Sequence, residues 1–101
     1  MLKHIVLWRL HEQAEGNDKA TNLRLVKEKL EGLNGVIPGL IKLEIGEDIS
    51  RGAASFDFVL YSELESAEAL EVYRTHPAHV AAADFVLAVT SDRYVVDYWA
   101  D

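Results

Sequence analysis

What most constrains this chain is the order in which two apolar periods follow one another. Residues 1–10 alternate as a strand does: Leu2, His4, Val6, Trp8 and Leu10 share one face, Lys3, Ile5, Leu7 and Arg9 the other. From about Lys19 to Leu33 the period lengthens to that of a helix, with Leu23, Val26, Leu30 and Leu33 on one side. Asn17 or Asp18 offers an N-cap, and Gly32, Gly35 and Pro38-Gly39 offer stops. Alternation returns in Leu40–Glu47 and, after a Ser50-Arg51-Gly52 turn, in Ser55–Glu63. A second helix is expected from a Ser66 N-cap through Leu70 and Tyr73. Pro77 disfavours the helical region at His76, so this helix should break there and resume over about Ala78–Val89. Arg93–Trp99 reads as a closing strand.

The order is therefore β-α-β-β-α-β. With short connections and right-handed crossovers it builds an α+β ferredoxin-like plait, an antiparallel four-stranded sheet with helices on one face. The 101 residues suit one domain spanning residues 1–101, with no internal repeat or linker. The other sheet face would carry Ile5, Leu7, Val59 and Tyr61 together with Tyr94, Val96 and Tyr98. That patch is too apolar for a monomer's surface. A homodimer through the open sheet face is expected, two sheets enclosing a shared barrel interior.

Composition narrows the partners. Ten basic against 17 acidic residues leave a net charge of −7, with no basic run, so neither nucleic acid nor an anionic membrane surface is an expected partner. The chain has no cysteine, which removes disulfides, thiolate nucleophiles and sulfur-ligated metals. No apolar run approaches a membrane span and no secretory signal is visible, so a cytoplasmic location is expected.

The residues able to carry chemistry cluster in Tyr73-Arg74-Thr75-His76-Pro77-Ala78-His79, with His4 joining them if its strand face looks toward the helices. Histidine exchanges protons near neutral pH. Two histidines, His4 and His79, and the Tyr73 phenol beside an apolar pocket would suit proton transfer on a small carbonyl compound. The expected walls are Val6, Trp8, Phe58 and Leu60 from two strands. Val26 and Leu30 of the first helix, Phe85 and Val95 would complete them. Each polar residue also has a scaffold reading. His76 can be satisfied by loop backbone, His79 can bond a loop carbonyl, His4 can be a core histidine, and Tyr73 an amphipathic core residue. His76-x-x-His79 with Asp84 is a weak metal pattern, because Pro77 breaks the geometry that would align the rings; no metal is expected. No phosphate-binding glycine loop, nucleophile elbow or dinucleotide fingerprint occurs.

Several segments together resemble the stress-responsive α/β barrel (Dabb) family. They are Lys3-His4-Ile5-Val6-Leu7, Ile37-Pro38-Gly39-Leu40 with Gly46-Glu47-Asp48, and Phe58-Val59-Leu60 running into Glu65-Ser66. Leu70-Glu71-Val72-Tyr73 before His76-Pro77-Ala78-His79-Val80, and Asp92-Arg93-Tyr94-Val95-Val96-Asp97-Tyr98, continue the match over essentially the whole chain. The resemblance implies a dimeric α+β barrel. In plant members that cyclise polyketides it implies an aldol-type closure by the second histidine of His-Pro-x-His, here His79, assisted by a tyrosine, here Tyr73. His4 matches a pocket histidine. A further pocket histidine is replaced by Phe58, and aromatic positions of the first helix are represented by Val26 and Leu30.

Three functional classes follow. One is a cofactor-free acid–base enzyme, cyclase- or lyase-like, with His79 as base. Another is a cofactor-free monooxygenase, and the third a non-catalytic dimer that binds a small apolar ligand or serves in stress response. None requires a cofactor.

Overall fold

Alternation in the first ten residues becomes strand β1 (Leu2–Leu10) of the computed structural model, which describes residues 1–100. A short hairpin follows, β2 (Gln13–Ala14) and β3 (Asn17–Asp18), then helix α1 (Lys19–Glu31) and strands β4 (Leu40–Glu47) and β5 (Phe58–Leu64). Helices α2 (Ala67–Thr75) and α3 (Pro77–Val89) lead into strand β6 (Thr90–Trp99). The main sheet has the order β4-β5-β1-β6, with every neighbouring pair antiparallel. This is the ferredoxin-like α+β plait.

Local chemistry sets the element ends. The Asp18 carboxylate accepts from Thr21 N at 2.8 Å and the Ser66 hydroxyl from Ala69 N at 3.0 Å, capping α1 and α2. His76 is extended (φ −62°, ψ 131°), as a residue before proline must be, and ends α2 while capping α3. The β2–β3 hairpin has no counterpart in the sequence pattern, because two-residue strands show no period. Its turn holds Glu15 and Gly16 at φ 53° and 76°, left-handed at both central positions as a type I′ turn requires. Buried Asn22 ties the hairpin to α1, donating to Ala14 O at 3.0 Å and accepting from Asn17 at 3.2 Å. Strand β6 begins three residues earlier than its β-branched run suggests, because Thr90 still pairs with Leu10 across a bulge.

Burial alternates strictly along β1 and β5. Val6, Trp8, Phe58, Leu60 and Leu64 turn inward against Val26 and Leu30 of α1, Leu70 and Tyr73 of α2, and Val86 of α3. On the opposite face, Ile5 lies between Tyr61 and Val96, and Leu7 between Val59 and Tyr94. Tyr94 and Val96 there are 66% and 56% exposed. Lys3 donates to Tyr61 Oη and, at 2.8 Å, to Glu63 Oε2, which also accepts from Tyr61 Oη at 2.5 Å. One apolar face with a polar end is thus left uncovered.

Two glycines separate conformational from steric need. Gly35 and Gly39 both adopt left-handed φ, 79° and 83°, but only Gly39 is crowded: a Cβ there would lie 2.6 Å from Ala69 Cβ. Gly35→Ala is expected to cost about 1 kcal/mol, the left-handed penalty alone, and Gly39→Ala about 2–4 kcal/mol once overpacking is added. Urea unfolding of both variants at one protomer concentration checks this; equal losses would contradict it.

Candidate functional site

The three rings of the site come from three elements, β1, α2 and α3. The inner face of β1 supplies His4, Val6 and Trp8, which lie opposite Asp97, Val95 and Arg93 of β6. The α2–α3 break supplies the rest. The His76 imidazole accepts from Ala78 N at 3.1 Å, making it a cap for α3, and the turn it stabilises brings the ends of two helices together. Tyr73, in the last turn of α2, meets His79, in the first turn of α3, with ring centroids 4.2 Å apart; His4 lies 5.9 Å from Tyr73, edge to face. All three rings line one cavity of about 450 Å³, which also touches Val6, Trp8, Leu30 and Leu60. The size is that of a small-molecule site.

Hydrogen bonding orients the two imidazoles. His79 Nδ1 lies 3.2 Å from the Arg74 carbonyl oxygen. A carbonyl only accepts, so Nδ1 carries the hydrogen and Nε2 of the neutral ring keeps a bare lone pair. Burial depresses the proton affinity of His79 and outweighs the opposing Arg74 carbonyl, while His4, Arg93 and His76 depress it further. His4 Nδ1 donates to Asp97 Oδ1 at 2.5 Å, and the other oxygen of that carboxylate sits 3.7 Å from Arg74. Arg74 thereby touches both histidine supports, with its backbone on one side and its guanidinium on the other. Tyr73 is 1% exposed, and burial holds its hydroxyl well above the ordinary phenol range, so it stays protonated. None of the described residues accepts a hydrogen bond from that hydroxyl.

His4, Tyr73 and His79 therefore converge as the sequence suggested, as do Val6, Trp8, Leu30 and Leu60. Four expected wall residues do not line the cavity. Phe58 is screened by Trp8, whose ring stacks on it at 4.9 Å, and Val26 is fully buried in the core beyond the wall. Phe85 turns toward α1, where the Lys29 ammonium lies 5.1 Å from its ring. Val95 packs on the core opposite Val6, and the β6 side of the cavity is built instead from residues 90–93. Asp84, the third residue of the weak metal pattern, is exposed, and the group at His79 Nδ1 is the Arg74 carbonyl. Sequence reasoning also missed Asp97, Arg93 and the α3 wall of Ala83, Val86 and Leu87. Period-two counting from Val95 would have placed Arg93 and Asp97 on the inner face; nothing local marks Asp97 as the partner of a residue 93 positions away. Among the described residues, no three His, Asp or Glu side chains group closely enough to hold a metal ion.

With the plait and this cavity in place, comparison with known proteins identifies the class. The chain belongs to the stress-responsive A/B barrel domain (Dabb) family, which it matches over residues 2–100. An uncharacterised protein of Streptomyces coelicolor is 36% identical over 81 residues, 80% of this chain and 81% of that protein. A dimeric protein of unknown function with a ferredoxin-like fold from Bacteroides fragilis is 33% identical and superposes with a TM-score of 0.84, covering 96% of this chain and 93% of that one. The fold alone is shared with a hydroxynitrile lyase from Passiflora edulis, 16% identical with a TM-score of 0.83, covering 99% of this chain and 93% of that one.

The depressed His79 fixes a pH dependence. Its folded value lies below the ordinary 6.5, so the unfolded chain binds the proton more readily. The neutral ring's contribution to stability is complete above about pH 6.5 and is lost as pH falls through the lower folded value. An NMR titration should place the His79 midpoint below 6.5 in the folded protein and below its own midpoint in urea. A midpoint at or above the urea value would remove the neutral-ring assignment.

Proposed function

We propose that the cavity is a cofactor-free acid–base site acting on a small carbonyl compound, with His79 as general base. The observation that carries this reading is the pairing of a bare Nε2 on a neutral, partly buried His79 with a protonated, unengaged Tyr73 hydroxyl in one apolar cavity. Nε2 takes the proton from the carbon next to a carbonyl. The C–H electron pair becomes the enolate, and the imidazolium formed is stabilised by its Nδ1–H bond to the Arg74 carbonyl. Tyr73 donates to the carbonyl oxygen as negative charge develops there. His4, held by Asp97, fixes the Tyr73 ring from its edge. The enolate carbon then joins a second carbonyl carbon in an aldol-type closure, whose alkoxide recovers the proton from His79; a lyase runs this in reverse. The same fold carries a hydroxynitrile lyase in Passiflora edulis, so the scaffold accommodates lyase chemistry.

Exchange of hydrogen for deuterium at the α-carbon of aryl alkyl ketones tests the base without a known substrate. His79→Ala should slow exchange by about 10²–10⁴-fold, and Tyr73→Phe by about 10–100-fold, the loss of one hydrogen bond to a charged oxygen. Both variants should remain folded. A wild-type rate no faster than buffer, or an unchanged rate in folded His79→Ala, would leave a binding protein in place of an enzyme.

The working form in this proposal is a homodimer through the open sheet face. The Bacteroides fragilis relative is dimeric, and the uncovered stripe of Ile5, Leu7, Tyr61, Tyr94 and Val96 is the surface a second copy would bury. Interfaces of this kind are apolar, and their separated protomers are poorly stable. Val96→Lys or Val59→Asp should yield a monomer or an unfolded chain. Analytical ultracentrifugation reads this directly: a folded wild-type monomer at micromolar concentration is incompatible with the dimer.

A further inference from the structure

We infer that the cavity is built for a ligand carrying a single carboxylate, held by Arg93 at the β6 wall, with its apolar body against Trp8, Leu30, Val86 and Leu87. The inference deepens the proposed function by naming its substrate class, and rests on reading the cavity as the ligand site. Register sets Arg93 opposite Trp8 on the inner face of β6. No Asp or Glu oxygen among the described residues lies within 4.0 Å of its guanidinium. Asp97 is engaged by His4 and Arg74. Asp92 lines the same cavity as Arg93 but is exposed and forms no ion pair with it. Arg93 is therefore a cation without an ion-pair partner on a cavity wall whose other charged residue is the exposed Asp92, in a chain whose net charge is −7.

A guanidinium presents parallel N–H donors that match the two oxygens of a carboxylate. Asp92 on the same wall repels an anion in proportion to its charge, so a monocarboxylate is favoured there over a phosphate dianion. The field of Arg93 also reaches the proton-transfer groups, opposing the protonated ring of His79 and favouring ionisation of Tyr73. A bound carboxylate would neutralise that field, so the anionic end of the ligand and the basicity of His79 are coupled.

The test compares 4-phenylbutanoate with its neutral isostere 4-phenylbutanamide by titration calorimetry at low ionic strength. The carboxylate should bind wild-type protein about tenfold or more tightly than the amide, the range of a charge-assisted hydrogen-bonded pair. Arg93→Gln should erase that preference chiefly by weakening the carboxylate, and Arg93→Lys should keep part of it. Added salt should shrink it, since Arg93 is exposed to solvent. Equal affinities in wild type, a preference that survives Arg93→Gln, or no binding of either probe at millimolar concentration would each overturn the inference. His79→Ala separates the two readings: it removes α-carbon exchange if His79 is the base, yet should retain the carboxylate preference.

Discussion

Strand β1 is the constraint on which everything else depends. It is hydrogen-bonded along both edges, to β5 and to β6, and apolar or aromatic side chains stand on both of its faces. A one-residue slip of either pairing would exchange those faces, sending Val6 and Trp8 outward and bringing Lys3 and Arg9 into the core. The register is held at the strand's far end as well, where the Met1 amino group and the Ala100 carbonyl bond at 3.0 Å and Ala100 N returns to Met1 O at 2.9 Å. Because β6 is fixed in this register, Arg93, Val95 and Asp97 face Trp8, Val6 and His4. The chemistry of the site follows from a sheet-pairing requirement.

A cavity survives beside this strand because the helical layer is interrupted. A continuous helix through residues 67–89 would carry Tyr73 and His79 on a straight path; the extended backbone at His76 bends the chain so that the two rings meet. Helix α3 then presents Ala83 to the space in front of β1, where a larger residue would fill it. Its larger residues, Val86 and Leu87, stand farther along, against the beginning of β6. Close packing is the rule in protein interiors, so about 450 Å³ left open between a helix and its sheet, with three titratable rings on its wall, is a feature of the local sequence and not slack.

Most of the fold was legible because its long elements each show several turns or alternations of their own period. The two-residue hairpin strands were not, and their turn became visible only through two left-handed backbone conformations and the buried Asn22 amide. At the site, His4, Tyr73 and His79 could be found because strand parity and the pre-proline break each point locally toward the helix–sheet junction. Wall positions fared less well. Parity tells which face a side chain joins but not its depth, so Phe58 and Val95 were rightly placed inward yet belong to the core. The contacts that set protonation join residues far apart in sequence, as in His4 with Asp97, and no local pattern encodes them.

Charge is distributed along β6 in a definite order. Arg93 and Asp97 are four residues apart on one strand, roughly 13 Å at the ordinary rise, with the apolar Val95 between them. The Asp97 charge is engaged by His4 and Arg74; the Arg93 charge has no such partner within the described residues. The inner face of β6 therefore has a paired negative charge that positions an imidazole and, nearer the strand's start, a positive charge without an ion-pair partner. Strand pairing sets the order of these charges, and the Pro77 break brings Tyr73 and His79 to the cavity beside them.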